Sequence, residues 1–112
     1  MIRVAVADDK INNRTIIADK LSHNNIFTIV FEAANGEDFL TKMKKLAEED
    51  LPQIVLMDLE MPEIDGVAAI GTASSLYPKI KFVVLTIFDD DDKIFRAIKA
   101  GACGYILKEE SG

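Results

Sequence analysis

The chain has one cysteine, one histidine, and no apolar run approaching the ~18 residues a membrane-spanning helix needs. Cys103 alone cannot close an internal disulfide and is expected to be a small buried residue, and such sparse thiol usage suits a reducing compartment. His23 falls in the polar stretch Ser22-His23-Asn24-Asn25, away from any candidate site, so no imidazole chemistry is assigned to it. Positive charge is in deficit: 13 Lys and Arg stand against 19 Asp and Glu, a net charge of −6. Without clustered Lys and Arg to meet phosphates, the domain itself is not expected to bind nucleic acid. The opening Met-Ile-Arg-Val-Ala-Val-Ala-Asp-Asp lacks the basic flank and long apolar core of a secretion signal, so a cytoplasmic location with no membrane partner is expected. Neither Gly-x-x-x-x-Gly-Lys nor Gly-x-Gly-x-x-Gly occurs, which removes the P-loop and dinucleotide fingerprints.

What is present is a regular alternation. Ile2 to Ala7 reads as a strand ended by Asp8-Asp9, and Ile11 to Leu21 as a helix with Ile16, Ile17, Ala18 and Leu21 at helical spacing. Ile26 to Ala33 is a second strand, closed by an Asn35-Gly36 turn. Phe39, Leu40, Met43, Leu46 and Ala47 then mark an amphipathic helix from Glu37. The unbroken apolar run Ile54 to Met57, ended by Asp58, has the habit of a strand buried on both faces of a parallel sheet. Met61-Pro62 forces an extended turn, and Asp65 is a helix cap before a small-residue helix to about Leu76. Phe82 to Leu85 is a fourth strand ending at Thr86. The acidic run Asp89 to Asp92 suits a helix N-terminus, with Ile94, Ala97 and Ile98 as the buried stripe and Gly101 as the stop. Gly104 to Leu107 is a fifth strand, ended by Lys108. Five strands alternating with helices predict one α/β domain over residues 1–112, a parallel sheet with helices on both faces and right-handed crossovers. Only four residues follow Lys108, so a final helix over the last strand is expected to be missing or truncated.

The strand ends carry the chemistry. In an open parallel sheet, ligands bind at the carboxyl ends of the strands. There the chain offers Asp8 and Asp9, Asp58, Thr86 and Lys108. Side chains alternate along a strand, so Asp8 and Asp9 can converge only if the second lies in the loop beyond. Three converging carboxylates repel one another, and a hard cation such as Mg²⁺ relieves the conflict while keeping room for phosphoryl oxygens. A carboxylate can also be the nucleophile that forms an aspartyl-phosphate, with a hydroxyl and an ammonium cradling the group. The residues themselves therefore point to phosphoryl transfer onto Asp58.

Asp8-Asp9, Asp58 with Met61-Pro62 and Asp65-Gly66, Thr86, Gly101-Ala102, Gly104-Tyr105 and Lys108 stand at these positions in order. The chain carrying them resembles the receiver domain of bacterial two-component response regulators. The likeness covers nearly the whole length. The stretches Leu85 to Asp90 and Gly101 to Lys108 resemble regulators with a C-terminal LuxR/NarL-type helix-turn-helix. The resemblance implies a flavodoxin-like sheet of strand order 2-1-3-4-5, with the output domain absent from these 112 residues. It implies that a sensor histidine kinase phosphorylates Asp58 and that Mg²⁺ (or Mn²⁺) is held by Asp8, Asp9, Asp58 and the Glu60 backbone carbonyl. Lys108 would pair with the phosphoryl group, Thr86 would hydrogen-bond it, and Tyr105 would change rotamer as Thr86 moves. The resemblance also implies a second copy of the chain as a partner, and contact with DNA only through the C-terminal domain. No external substrate is expected to be turned over. Two rival readings stay open: a scaffold that works without phosphorylation, and an Asp-nucleophile phosphatase or phosphotransferase. The second would need Asp-x-Asp after the first strand, where adjacent Asp8-Asp9 stand instead.

Overall fold

β-branched and small residues at Ile2–Ala7 form β1, and the computed structural model pairs it with two neighbours at once. The structure describes residues 1–61, 64–86 and 91–107. Their elements in chain order are β1, α1 (Ile11–Ser22), β2 (Phe27–Ala33), α2 (Gly36–Lys45), a 3-10 turn (Glu48–Asp50), β3 (Ile54–Asp58), α3 (Gly66–Leu76), β4 (Lys81–Thr86), α4 (Asp91–Ala100) and β5 (Gly104–Leu107). The five strands form one parallel sheet of order β2-β1-β3-β4-β5, as the resemblance implied.

Period-two alternation sends neighbouring residues to opposite faces. Ala5, Ala7, Val55, Met57, Phe82 and Val84 face the larger cluster, which α2, α3 and α4 close with Phe39, Met43, Ala69, Ile70, Ala73 and Ala97. Phe39 sits at its centre, its ring edge-on to Phe82 with centroids 6.4 Å apart. Val4, Val6, Leu56 and Leu85 face the other way, onto Ile17 and Leu21 of α1. That second layer is thin, and α1 buries no residue completely.

Helix ends follow their local chemistry. Asn35 caps α2 by accepting from the Asp38 N–H at 2.7 Å, and Asp38 Oδ2 accepts from the N–H of Ala34, the residue before the cap, at 3.1 Å. Asp65 caps α3 as expected, accepting from the Ala68 N–H at 2.9 Å. Gly101, with φ of 133°, ends α4; a Cβ there would lie 2.5 Å from Ser74 Oγ.

Three expectations need correction. The helix α2 stops at Lys45, because Leu46 is extended with ψ of 143°; Leu46 and the exposed Ala47 lie outside it. Ile98 is 48% exposed, since α4 turns only the narrower stripe of Ile94 and Ala97 into the core. Cys103, expected to be a small buried residue, is exposed: its N–H donates to the Phe82 carbonyl at 2.8 Å while the thiol faces out of the loop before β5.

Candidate functional site

Strand register builds the site. β1 and β3 pair Ala7 with Met57, so the next residue on each strand, Asp8 and Asp58, emerges side by side at the same rim. β1 ends at Ala7, which leaves both Asp8 and Asp9 in the loop beyond and frees them from strict alternation. Asp8 is wholly buried, and Asp58 is only 3% exposed. A buried carboxylate is costly unless its oxygens are partnered. Asp8 Oδ1 accepts from the Lys10 N–H at 2.9 Å and from Asn13 Nδ2 at 3.5 Å. The Asp8 carbonyl accepts from Arg14 Nη1 at 2.6 Å, and the same guanidinium meets Glu32 at 3.3 Å. The first turn of α1 thereby holds the loop that presents both acids.

Asp58 is fixed from its own loop. Its Oδ1 accepts from the Glu60 N–H at 3.2 Å, an Asx-type turn. The Leu59 carbonyl accepts from the Gly66 N–H at 3.2 Å, which closes the loop against the start of α3. Gly66 permits that approach: a Cβ there would lie 2.1 Å from the Asp58 carbonyl oxygen. Glu60 itself is exposed, and its carboxylate is paired with Lys93 of α4. The loop and α4 together line an open cleft of about 450 Å³ that also contains Arg96.

One carboxylate oxygen from each of Asp8, Asp9 and Asp58 falls within 4.8 Å of the others, two of these acids being buried and Asp9 exposed. An all-oxygen anionic donor set of this size fits a hard divalent cation such as Mg²⁺. Thr86 ends β4 and is 7% exposed, one residue past the Asp58–Leu85 pairing. Tyr105 pairs with Val84 on the edge strand β5 and is 46% exposed. Of the sequence-derived site residues, the structure brings Asp8, Asp9 and Asp58 together and sets Thr86 on the neighbouring strand end. Lys108 lies outside the described residues, as do Pro62, Ile87, Phe88, Asp89 and Asp90.

Asn13, Arg14 and Lys93 were not singled out from the sequence, although each ties a site loop to a helix. Asn13 and Arg14 stand five and six residues beyond Asp8, a spacing that links a loop to a helix's first turn, and this was their one available signal. The Glu60–Lys93 pairing spans 33 positions and had none.

Known proteins resemble this chain in sequence and fold. The chain is 37% identical over 108 residues to the uncharacterized transcriptional regulatory protein YxjL of Bacillus subtilis, covering 96% of the chain and 48% of that protein. It is 39% identical over 110 residues to the response regulator protein VraR of Staphylococcus epidermidis, covering 98% of the chain and 51% of the relative. The chain thus spans about half the length of the curated relatives it matches. Among solved structures, the signal receiver domain of NarL from Mycobacterium tuberculosis superimposes with a TM-score of 0.86 at 27% identity, over 98% of this chain and 86% of that one. CheY in a CheX–CheY–BeF3–Mg complex from Borrelia burgdorferi shares the fold at 20% identity, with a TM-score of 0.87 over 98% of this chain and 80% of the other. A family model for the response regulator receiver domain matches residues 4–112, and this chain belongs to that family.

Proposed function

We propose that Asp58 accepts a phosphoryl group from a histidine of a sensor kinase and that the new dianion shifts the domain between two packed states. The observation that supports this best is the meeting of Asp8, Asp9 and Asp58 within 4.8 Å at the carboxyl ends of β1 and β3. In the transfer, a carboxylate oxygen of Asp58 attacks phosphorus as the phosphorus–nitrogen bond of the donor phosphohistidine breaks. The imidazole nitrogen leaves with the bonding pair. The Glu60 N–H on Oδ1 orients the attacking group, and burial of Asp58 keeps bulk water from the carboxylate. Asp8, Asp9, Asp58 and the Glu60 backbone carbonyl are the groups that would hold Mg²⁺ (or Mn²⁺). Such an ion, when bound, supplies the positive charge that offsets crowding among carboxylates and phosphoryl oxygens.

Lys108 is assigned the countercharge to the phosphoryl group. Thr86 is assigned an Oγ1–H donor to it, and Tyr105 a rotamer change into the space beside Thr86. The burial of Thr86 and the half-exposure of Tyr105 two residues away across the β4–β5 pairing suit a coupled pair, one inside and one able to move in. Phosphorylation then acts as a local electrostatic event with a remote readout, which is a population shift. Hydrolysis of the acyl phosphate returns Asp58, so the domain is written and erased without turning over an external substrate.

The longer protein is read as cytoplasmic, with a C-terminal helix-turn-helix that contacts DNA and with the phosphorylated receiver pairing to a second copy. The regulatory names of the relatives and the half-length coverage support this. An apolar groove runs between Ile16, Ile17 and Leu21 of α1 and Leu85, Ile106 and Leu107 of the sheet. It is assigned to a helix that follows β5 in the longer protein. Incubation with Mg²⁺ and a small acyl-phosphate donor should add one phosphoryl group to the chain, labile to alkali and absent from Asp58→Asn. Equal phosphorylation of both proteins would contradict the assignment.

A further inference from the structure

At the opposite end of the sheet from Asp58, the amino ends of β1, β3 and β4 and the last turns of α2 and α3 surround an open groove of about 920 Å³. Its floor is apolar: Met43, Leu46, Leu51, Leu76, Tyr77 and Ile80 line it, and Leu76 is largely exposed. Its rim is basic. Arg3, Lys44, Lys79 and Lys81 line the groove against one acid, Glu48. Four of the chain's 13 basic residues are therefore gathered at a site that holds one of its 19 acidic residues. Lys44, Lys79 and Lys81 are exposed, and none has an acidic partner within ion-pair distance among the described residues. Lys44 stands in the last turn of α2, where it also answers the helix dipole. Lys81 opens β4 and Lys79 precedes it by two residues, and neither has such a reason to be there.

We infer that this groove docks an acidic, amphipathic segment of a partner protein, whose apolar side chains fill the floor and whose carboxylates meet the rim cations. Charge complementarity selects the partner: on a domain of net charge −6, a locally unneutralised basic rim draws acidic ligands that the rest of the surface repels. The apolar floor favours a peptide over a nucleic acid, because Met43, Leu46, Leu51, Leu76 and Ile80 reward buried aliphatic groups, while Tyr77 is the single aromatic face in the lining on which a base could stack. The groove shares none of the residues of the carboxylate cluster, so docking there does not require the acidic rim to be vacant.

The test uses three fluorescent helical probe peptides of ~14 residues: one with a Leu stripe and a Glu face, one with Glu replaced by Gln, and one with Leu replaced by Ser. The Leu/Glu peptide should bind at least ~10-fold more tightly than either control, weaken as salt rises, and shift the amide resonances of Leu46, Leu51, Gln53 and Lys81. The exposed double substitution Lys79→Glu/Lys81→Glu should weaken it at least ~10-fold, with the amide spectrum elsewhere unchanged and phosphorylation of Asp58 retained. Lys79→Gln/Lys81→Gln should give an intermediate loss. Equal binding of all three peptides, shifts confined to the Asp58 rim, tighter binding of duplex DNA than of the Leu/Glu peptide, or self-association through these residues would overturn the inference.

Discussion

Gly66 has no side chain because there is no room for one: a Cβ would meet the backbone of Asp58 and Leu59, and backbone cannot rotate away. Gly66→Ala should therefore push α3 off the end of β3 and cost about 1–3 kcal/mol, the usual range for overpacking, in urea denaturation. A loss below the scatter of exposed substitutions would show that the loop gives way freely. Asp38 carries a second, pH-dependent prediction. Burial raises its pKa, but the Ala34 N–H, the Lys42 side chain 3.2 Å away and the Arg14 charge outweigh that and leave it lowered. A carboxylate depressed on folding contributes stability above its unfolded value of about 4 and loses it as pH falls through the folded value. Asp38→Asn should thus be less stable than the parent at neutral pH, by up to ~1 kcal/mol as for other partly exposed pairs. The gap should close below about pH 4, and a gap that persists in acid would contradict the account. At this scale the sequence was legible where a charge ended an apolar run, as at Asp8 and Asp58. It was silent where a residue matters through space, as at Lys93 and Asn13. Cys103 misled because residue type speaks for the average thiol and not for a loop that turns its side chain outward.

Among the elements, the two layers over the sheet are unequal. The layer of α2, α3 and α4 surrounds fully buried Phe39, Met43, Ile70 and Phe82, whereas α1 rests on half-buried Ile17 and Leu21. Opening free energies follow buried apolar contact, so amide protection in α1 should fall well below that in β3 and α3. A chain continued by about 15 residues that form one ordinary helix over the α1-side groove should narrow the difference. Equal protection of α1 and α3 in the 112-residue chain would contradict this picture. Element type and order were readable because short apolar runs, each ended by a polar residue or a turn, alternated with longer segments bounded by caps and stops. Boundaries were less so: Leu46 keeps the helical spacing of α2, yet its backbone is already extended toward the Glu48–Asp50 turn. The spacing that matched Ile98 to Ile94 could not reveal how narrow a face α4 turns inward.

The whole molecule separates its charged clusters along the strand direction. Carboxylates collect at the carboxyl ends and the basic groove at the amino ends. Strand order follows from no local pattern. Spacing allows several right-handed parallel sheets, and 2-1-3-4-5 came with the resemblance before the pairing of β1 with both β2 and β3 bore it out. If the acid cluster holds Mg²⁺ in the folded state alone, the ion should stabilise the domain by about 1.4 kcal/mol at ten times its dissociation constant, and Asp9→Ala should abolish most of that gain. A thermal shift equal in both proteins would place the ion elsewhere. Trapping the acyl phosphate shows whether Asp58 is the residue written on. Borohydride reduces an aspartyl-phosphate to homoserine, and peptide mass mapping then reads its position. After treatment with Mg²⁺ and an acyl-phosphate donor, homoserine should appear at position 58 alone. Homoserine at another carboxylate, or none at any, would contradict it.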